Sequence, residues 1–203
     1  MAVLLRSLMW IAGFVAVVWT ALTLWVEADG PERIVELGKR GFALTALIVY
    51  DPDPIYNLDQ QVCESFARGL ADKGWHVTVA TVRMAKKFKE TDYHLYVFCA
   101  NTYNWLPDRS ITNFIKDDVN INRKNIVAII VGAGSTRHAQ EAFEKVVRKK
   151  NGNLIDSKTF WLLRPNDEAR LKHSNVATAV DIARKWGGRI AELAITKQYT
   201  IVQ

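Results

Sequence analysis

Cysteine is scarce in this 203-residue chain: Cys63 and Cys99 are the only two. Neither lies in a CxxC pair, and no Cys/His spacing matches a zinc site, which excludes a zinc module and a disulfide framework. Each falls at an apolar position of a periodic segment, where an inert core thiol belongs. Histidine is sparse too. His76, His94, His138 and His173 are scattered, so they suggest neither a triad nor a metal centre, and no catalytic residue is assigned. The phosphate-binding pattern GxxxxGK[ST] is absent. GAGSTR at Gly132 lacks the third glycine of a dinucleotide fingerprint. Charge of one sign does not dominate: 27 Lys and Arg stand against 21 Asp and Glu, a formal net charge of +6. The basic patches Lys86–Lys89 and Arg148–Lys150 read as solvated helix faces, with contact to anionic lipid or an acidic partner as the sharper reading. No basic and aromatic motif of a nucleic-acid-binding domain is present, so no nucleic acid partner is expected.

Charge is missing altogether from SLMWIAGFVAVVWTALTLWV, Ser7 to Val26. Twenty residues at helical rise cover the ~30 Å hydrocarbon core of a bilayer. Trp10 and Trp25 stand near its ends, where indoles favour the interface. A secretory leader is the competing reading, with Val26-Glu27-Ala28 as its cleavage site, but this apolar core exceeds the ~7–15 residues usual there. The expectation is an uncleaved anchor spanning the lipid bilayer through residues 7–26. Arg33, Lys39 and Arg40 follow the span and only Arg6 precedes it, so counting Lys and Arg alone places the C-terminal domain in the cytoplasm. The expected organisation is an anchor over 1–26, a polar connector over 27–41, a folded domain over 42–196 and a tail over 197–203.

The remainder alternates strand and helix patterns. ALTALIVY (Ala43–Tyr50) is a near-continuous apolar run, as expected of a strand covered on both faces. Val62, Phe66 and Leu70 recur at helical spacing. HVTVATV (His76–Val82), YHLYVFCA (Tyr93–Ala100), NIVAIIVGAG (Asn125–Gly134) and KTFWLLRP (Lys158–Pro165) supply four more strands. Helices are expected around Ile111–Lys116, with Pro107 at the start, over His138–Lys150, and over Asn175–Thr196, where Gly187-Gly188 is an interruption or is tolerated. The predicted fold class is α/β: a doubly wound five-stranded parallel sheet in the order 2-1-3-4-5, preceded by one transmembrane helix. Ligands on such sheets lie at the carboxyl ends of the strands near the switch point. The loops concerned are Asp51–Gln61, Asn101–Arg109 and Gly132–His138. A phosphoacceptor domain of the receiver type is excluded. The third strand ends Cys99-Ala100-Asn101 and the fifth ends Leu163-Arg164-Pro165, so the acceptor Asp and the Lys are both missing.

The unit ALIVYDPD…VCESFARGLADKGWHVTVATV has the form of an opening βαβ, and YVFCANTYNWLPDRSITNFIKD has that of a third strand, its loop and a helix. In the latter, Asn101-Thr102-Tyr103, Pro107 and Phe114-Ile115-Lys116 follow in order. From about Thr45 to Leu193 the chain resembles the flavodoxin-like family, including its membrane-anchored members. The resemblance implies FMN and electron transfer. It assigns Tyr103 or Trp105 to a ring face, Asn101, Thr102 and Asn104 to the ring edge, and Gly132, Gly134 and Ser135 to close backbone approach from the fourth strand. The phosphate is left to the first loop. There the family's small hydroxyl residues are replaced by DPDPIYN, and Asn57 is the one obvious donor. Pro52 and Pro54 donate no N–H. Asp51, Asp53 and Asp59 repel a dianion, at about 1 kcal/mol per pair 4 Å apart in water and more where screening is poorer. Two functions stay open: a membrane-anchored FMN electron carrier with a redox partner, or a cofactor-free structural or assembly subunit of a membrane protein complex.

Overall fold

The computed structural model describes residues 2–39, 41 and 44–200, and the side chains of 6–39, 41 and 44–194. Helix α1 covers Ala2–Val26 and is followed by strand β1, Ile34–Leu37. The βαβ core then begins with β2 (Thr45–Tyr50), α2 (Leu58–Ala71) and β3 (His76–Thr81). After a short α3 (Val82–Ala85) come β4 (Leu95–Tyr103), β5 (Leu106–Pro107) and α4 (Arg109–Asn113), which runs into a π-helical turn at Phe114–Asp118. The chain closes with β6 (Asn125–Gly132), α5 (Arg137–Lys149), β7 (Asn153–Trp161) and α6 (Asn175–Thr200).

The sheet has seven strands, not the five expected from the sequence. Its order is β1-β3-β2-β4-β6-β7, with β5 paired to β4 alone. The five parallel strands β3-β2-β4-β6-β7 stand in the 2-1-3-4-5 order. The two additions are antiparallel. β1 pairs with β3 in the register Ile34↔Ala80 to Leu37↔Val77, and β5 folds back on the end of β4 through Tyr103↔Leu106. Both escape a periodicity reading because they are short. β1 lies in the segment 27–41, read as a polar connector, and its residues are exposed or half-exposed on the sheet edge.

Alternation along the central strands builds two cores. On β4, Leu95, Val97 and Cys99 face α2 and α6, while Tyr96, Phe98 and Ala100 face α4 and α5. Val62, Phe66 and Leu70 of α2 are fully buried, as their spacing predicts, and Phe66 meets Trp186 edge-on at 5.0 Å. Each such burial is worth roughly 1.5–3 kcal/mol against the exposed chain. Cys63 and Cys99 are both buried and free. The last strand begins at Asn153, five residues before the predicted Lys158, because its first half, NLIDS, is half-exposed and reads as a loop. Pro107 belongs to β5, and Asp108 takes the N-cap of α4. Helix α6 runs unbroken through Gly187-Gly188 to Thr200, so residues 197–200 of the expected tail are helical. The expected strand start at Ala43 and the last three residues lie outside the described residues.

Candidate functional site

The first loop follows β2 and is closed by its own acids. The Asp53 side chain is turned inward: its Oδ1 accepts the backbone N–H of Ile55 at 2.7 Å and of Tyr56 at 3.1 Å. Its Oδ2 accepts the Tyr103 hydroxyl at 2.7 Å. Burial, and then the Asp53 carboxylate, push the Tyr103 phenol well above its ordinary value, so it stays a donor. Asp59, 1 % exposed, takes the Asp53 N–H on Oδ2 at 2.9 Å and the Gln60 N–H on Oδ1 at 2.8 Å. Burial pushes its carboxyl up to about 6, against those hydrogen bonds.

Asn101, at the carboxyl end of β4, ties this loop to the next one. Its Nδ2 donates to the Asp51 carbonyl at 2.9 Å and to Asp59 Oδ2 at 3.2 Å. The Asp51 side chain turns the other way and accepts the Gly30 N–H at 2.8 Å. Burial raises Asp51 to about 6. Asp108, also 1 % exposed, accepts the Ser110 N–H at 2.8 Å, while its Oδ2 is buried without a partner. Burial first, and then the neighbouring Asp51, push Asp108 up to about 8. The residues between α1 and β1 are packed onto this cluster. Ser110 Oγ donates to Asp29 Oδ1 at 2.6 Å, Lys86 pairs with Asp29 at 3.1 Å, and Arg109 pairs with Glu27 at 3.2 Å. Gly30 sits so near the loop that a Cβ there would come within 2.7 Å of Pro52 Cδ. Periodicity could not reveal Asp29, Gly30 or Asp108 as parts of this edge. The only sequence signal was the density of acids in DPDPIYNLD and at Asp108.

The nine residues assigned by resemblance lie on three loops at the carboxyl ends of the strands. Asn57 takes the N-cap position of α2 without a capping bond; its Oδ1 accepts from Gln61 Nε2 at 2.6 Å. It lines an open cleft of about 710 Å³ together with Trp25, Gly30 and Ile55. Tyr103 and the Nδ2 of Asn101 are spent on the loop-to-loop bonds above, while Asn101 Oδ1 is buried without a partner. Thr102 Oγ1 is buried without a partner. Asn104 and Trp105 form the turn between β4 and β5 with φ of 49° and 62°, and the Trp105 indole is 63 % exposed. Gly132 packs on the same loop: a Cβ there would meet Thr136 Cγ2 at 2.7 Å and Thr102 Cβ at 3.1 Å. Gly134 and Ser135 line a different, smaller cavity of about 160 Å³ with Trp161 and Arg164. Among the described residues no group of three or more His, Cys, Asp or Glu is placed to hold a metal ion.

Several N–H groups of the first loop are taken up within the chain. A phosphate at a helix start needs free N–H groups and tolerates no fixed anion beside them. Here the Ile55 and Tyr56 N–H groups are already bound to a carboxylate of the chain, the Asp53 N–H is bound to another, and Pro52 and Pro54 have none. Displacing Asp53 would leave a dianion beside Asp59 in a poorly screened site.

No family model matches the chain, and no curated protein matches it. Solved structures do. A flavodoxin from the domain Archaea superposes with a TM-score of 0.57 at 15 % identity, over 74 % of this chain and 99 % of that one. A flavodoxin, WrbA-like protein from Agrobacterium tumefaciens gives 0.56 at 12 % identity, over 76 % and 99 %. The flavodiiron protein from Giardia intestinalis gives 0.57 at 14 % identity, over 75 % of this chain but 36 % of its own. At such identities the likeness is one of fold, and the fold of this chain is a remote relative of the flavodoxin-like one.

Proposed function

We propose that this chain is a single-pass membrane protein whose flavodoxin-like domain serves as a structural or assembly module of a membrane protein complex, acting through its surface and not as an FMN carrier. The observation that carries this reading is the Asp53 carboxylate on the Ile55 and Tyr56 N–H groups. This internal anion on the loop's own donors supports a domain that does not hold the cofactor's phosphate. Membrane anchoring is supported by α1, in which Arg6–Val26 is long and apolar enough to cross a bilayer and is not buried by the rest of the molecule. The excess of Lys and Arg after the span supports a cytoplasmic domain.

A second reading keeps a flavin and the redox role that the fold of the flavodoxin neighbours suggests. It is favoured by the β4–β5 turn, where a non-glycine pair is held at positive φ and presents an exposed indole. Left-handed backbone at a bulky residue costs of order 1–3 kcal/mol and is kept where the surroundings require it. A flavin bound there would be held by its ring, and its phosphate would contribute nothing.

The absorption spectrum of the detergent-purified full chain, followed by titration with FMN and with riboflavin, separates the readings. A colourless protein that takes up neither supports the module. Equal uptake of FMN and riboflavin supports the second reading. FMN bound stoichiometrically and far more tightly than riboflavin overturns the Asp53 argument, since the phosphate is then recognised.

A further inference from the structure

The two edges of the sheet treat their apolar residues in opposite ways. At the amino ends of the strands, the turns contain Trp75, Tyr93 and Ile121, and all three are turned in, at 1 %, 9 % and 1 % exposure. At the carboxyl ends, Ile55, Trp105, Leu106, Leu163 and Leu171 are turned out, at 68 %, 63 %, 48 %, 79 % and 67 %. They come from three separate loops, after β2, β4 and β7. Large apolar residues collected on one end of a domain mark an interaction surface.

Helix α1 identifies what lies against it. Asn104 Nδ2 donates to Thr23 Oγ1 at 3.2 Å. Thr23 is three residues inside the end of the apolar segment Arg6–Val26, about 4.5 Å along the axis at helical rise. The turn that carries Trp105 therefore lies level with the last turn of the span. Trp25 and Ile55 line one cleft, so the loop after β2 lies at the same level. Indoles favour the boundary between hydrocarbon and headgroups, and apolar side chains on an otherwise polar face sink into it. Arg164 and Lys172 stand next in sequence to Leu163 and Leu171, with Asp167 and Glu168 in the same loop, so apolar contact and not charge carries the argument.

We infer that the carboxyl edge of the sheet rests on the bilayer, with Ile55, Trp105, Leu106 and Leu163 in the lipid interface beside α1. The inference rests on the membrane-anchored reading above. It adds that the domain is held in one orientation, with its open cleft against the membrane and its amino edge directed away.

The test uses the full chain in vesicles of phosphatidylcholine and phosphatidylglycerol, with nitroxide labels at single introduced cysteines. Cys63 and Cys99 are buried and stay unlabelled. Leu106→Cys and Leu163→Cys probe the proposed surface, Asn122→Cys the amino edge and Phe14→Cys the anchor. All but Leu106, which pairs in β5, lie outside the sheet. The labels at 106 and 163 are expected to collide severalfold less with a water-soluble nickel complex than the label at 122, and more with oxygen dissolved in lipid. Equal nickel collision at 106, 163 and 122, with the label at 14 in lipid, overturns the inference and leaves the anchor standing. Protection from nickel without gain of oxygen means that protein, a second copy or a partner, covers the edge, and this also overturns it. A label at 14 exposed to nickel removes the anchor, and the inference falls with it.

Discussion

Asp53 closes the loop ahead of α2 on itself: its carboxylate collects two backbone N–H groups and a phenol. The like-charge argument read from DPDPIYNLD indicates only that a phosphate is unwelcome there. It does not say that one of the acids has taken its place. Removing the carboxylate should reopen the slot. Asp53→Ala is expected to destabilise the domain by about 1–3 kcal/mol, the penalty for buried donors left unpaired. Inorganic phosphate should restore part of that loss in the variant and do nothing for the parent. Thermal melts of both proteins with and without phosphate check this, and a variant indifferent to phosphate would sink the view of Asp53 as an internal anion.

Helices α2 and α6 show the same division between pattern and packing. Their apolar spacing is plain in the sequence, but the role of their glycines is not. A Cβ on Gly69 would come within 2.1 Å of the Arg184 carbonyl oxygen, and one on Gly187 within 2.2 Å of the Phe66 carbonyl oxygen. Gly188, its neighbour, would meet nothing closer than 3.7 Å. Alanine improves helix propensity over glycine by about 1 kcal/mol, while overpacking costs typically about 1–3 kcal/mol. Gly69→Ala and Gly187→Ala are therefore expected to lower stability on balance, and Gly188→Ala to raise it slightly. Urea unfolding of the three variants decides the matter; a stabilised Gly187→Ala would mean that the helices are not in backbone contact. The strands β1 and β5 were illegible for a related reason. Four and two residues are too few to establish a period of two, and their pairing depends on what lies beside them.

For the molecule as a whole, a formal charge of +6 conceals an acidic end. Asp51 and Asp59 are raised to about 6 and Asp108 to about 8, chiefly by burial. Groups raised in the folded state bind more protons there than in the unfolded chain, where carboxyls titrate near ~4. Their contribution to stability is thus complete below ~4 and is lost as pH rises through the folded values. The melting temperature should fall between pH 5 and pH 8. Asp108→Asn keeps the N-cap oxygen for Ser110 and removes the titration. It should raise the melting temperature at pH 8 by a few degrees, at ~2–4 °C per kcal/mol for a domain of this size, and change it little at pH 5. Parallel pH profiles for variant and parent would show that Asp108 does not titrate in this range.

The sequence alone determined the long apolar helix, the alternation of strand and helix, and the poverty of the first loop in phosphate donors. Each is a local property: composition over twenty residues, or a period of two or 3.6 that a short window displays. Tertiary structure decided the rest. Asp53 meets Tyr103 across fifty positions of chain, and Asp51 meets Gly30 across twenty-one. Whether an acid repels a ligand, caps a turn or binds the segment after α1 depends on which loop the fold sets beside it. That partner lies far along the chain, beyond the reach of any local pattern.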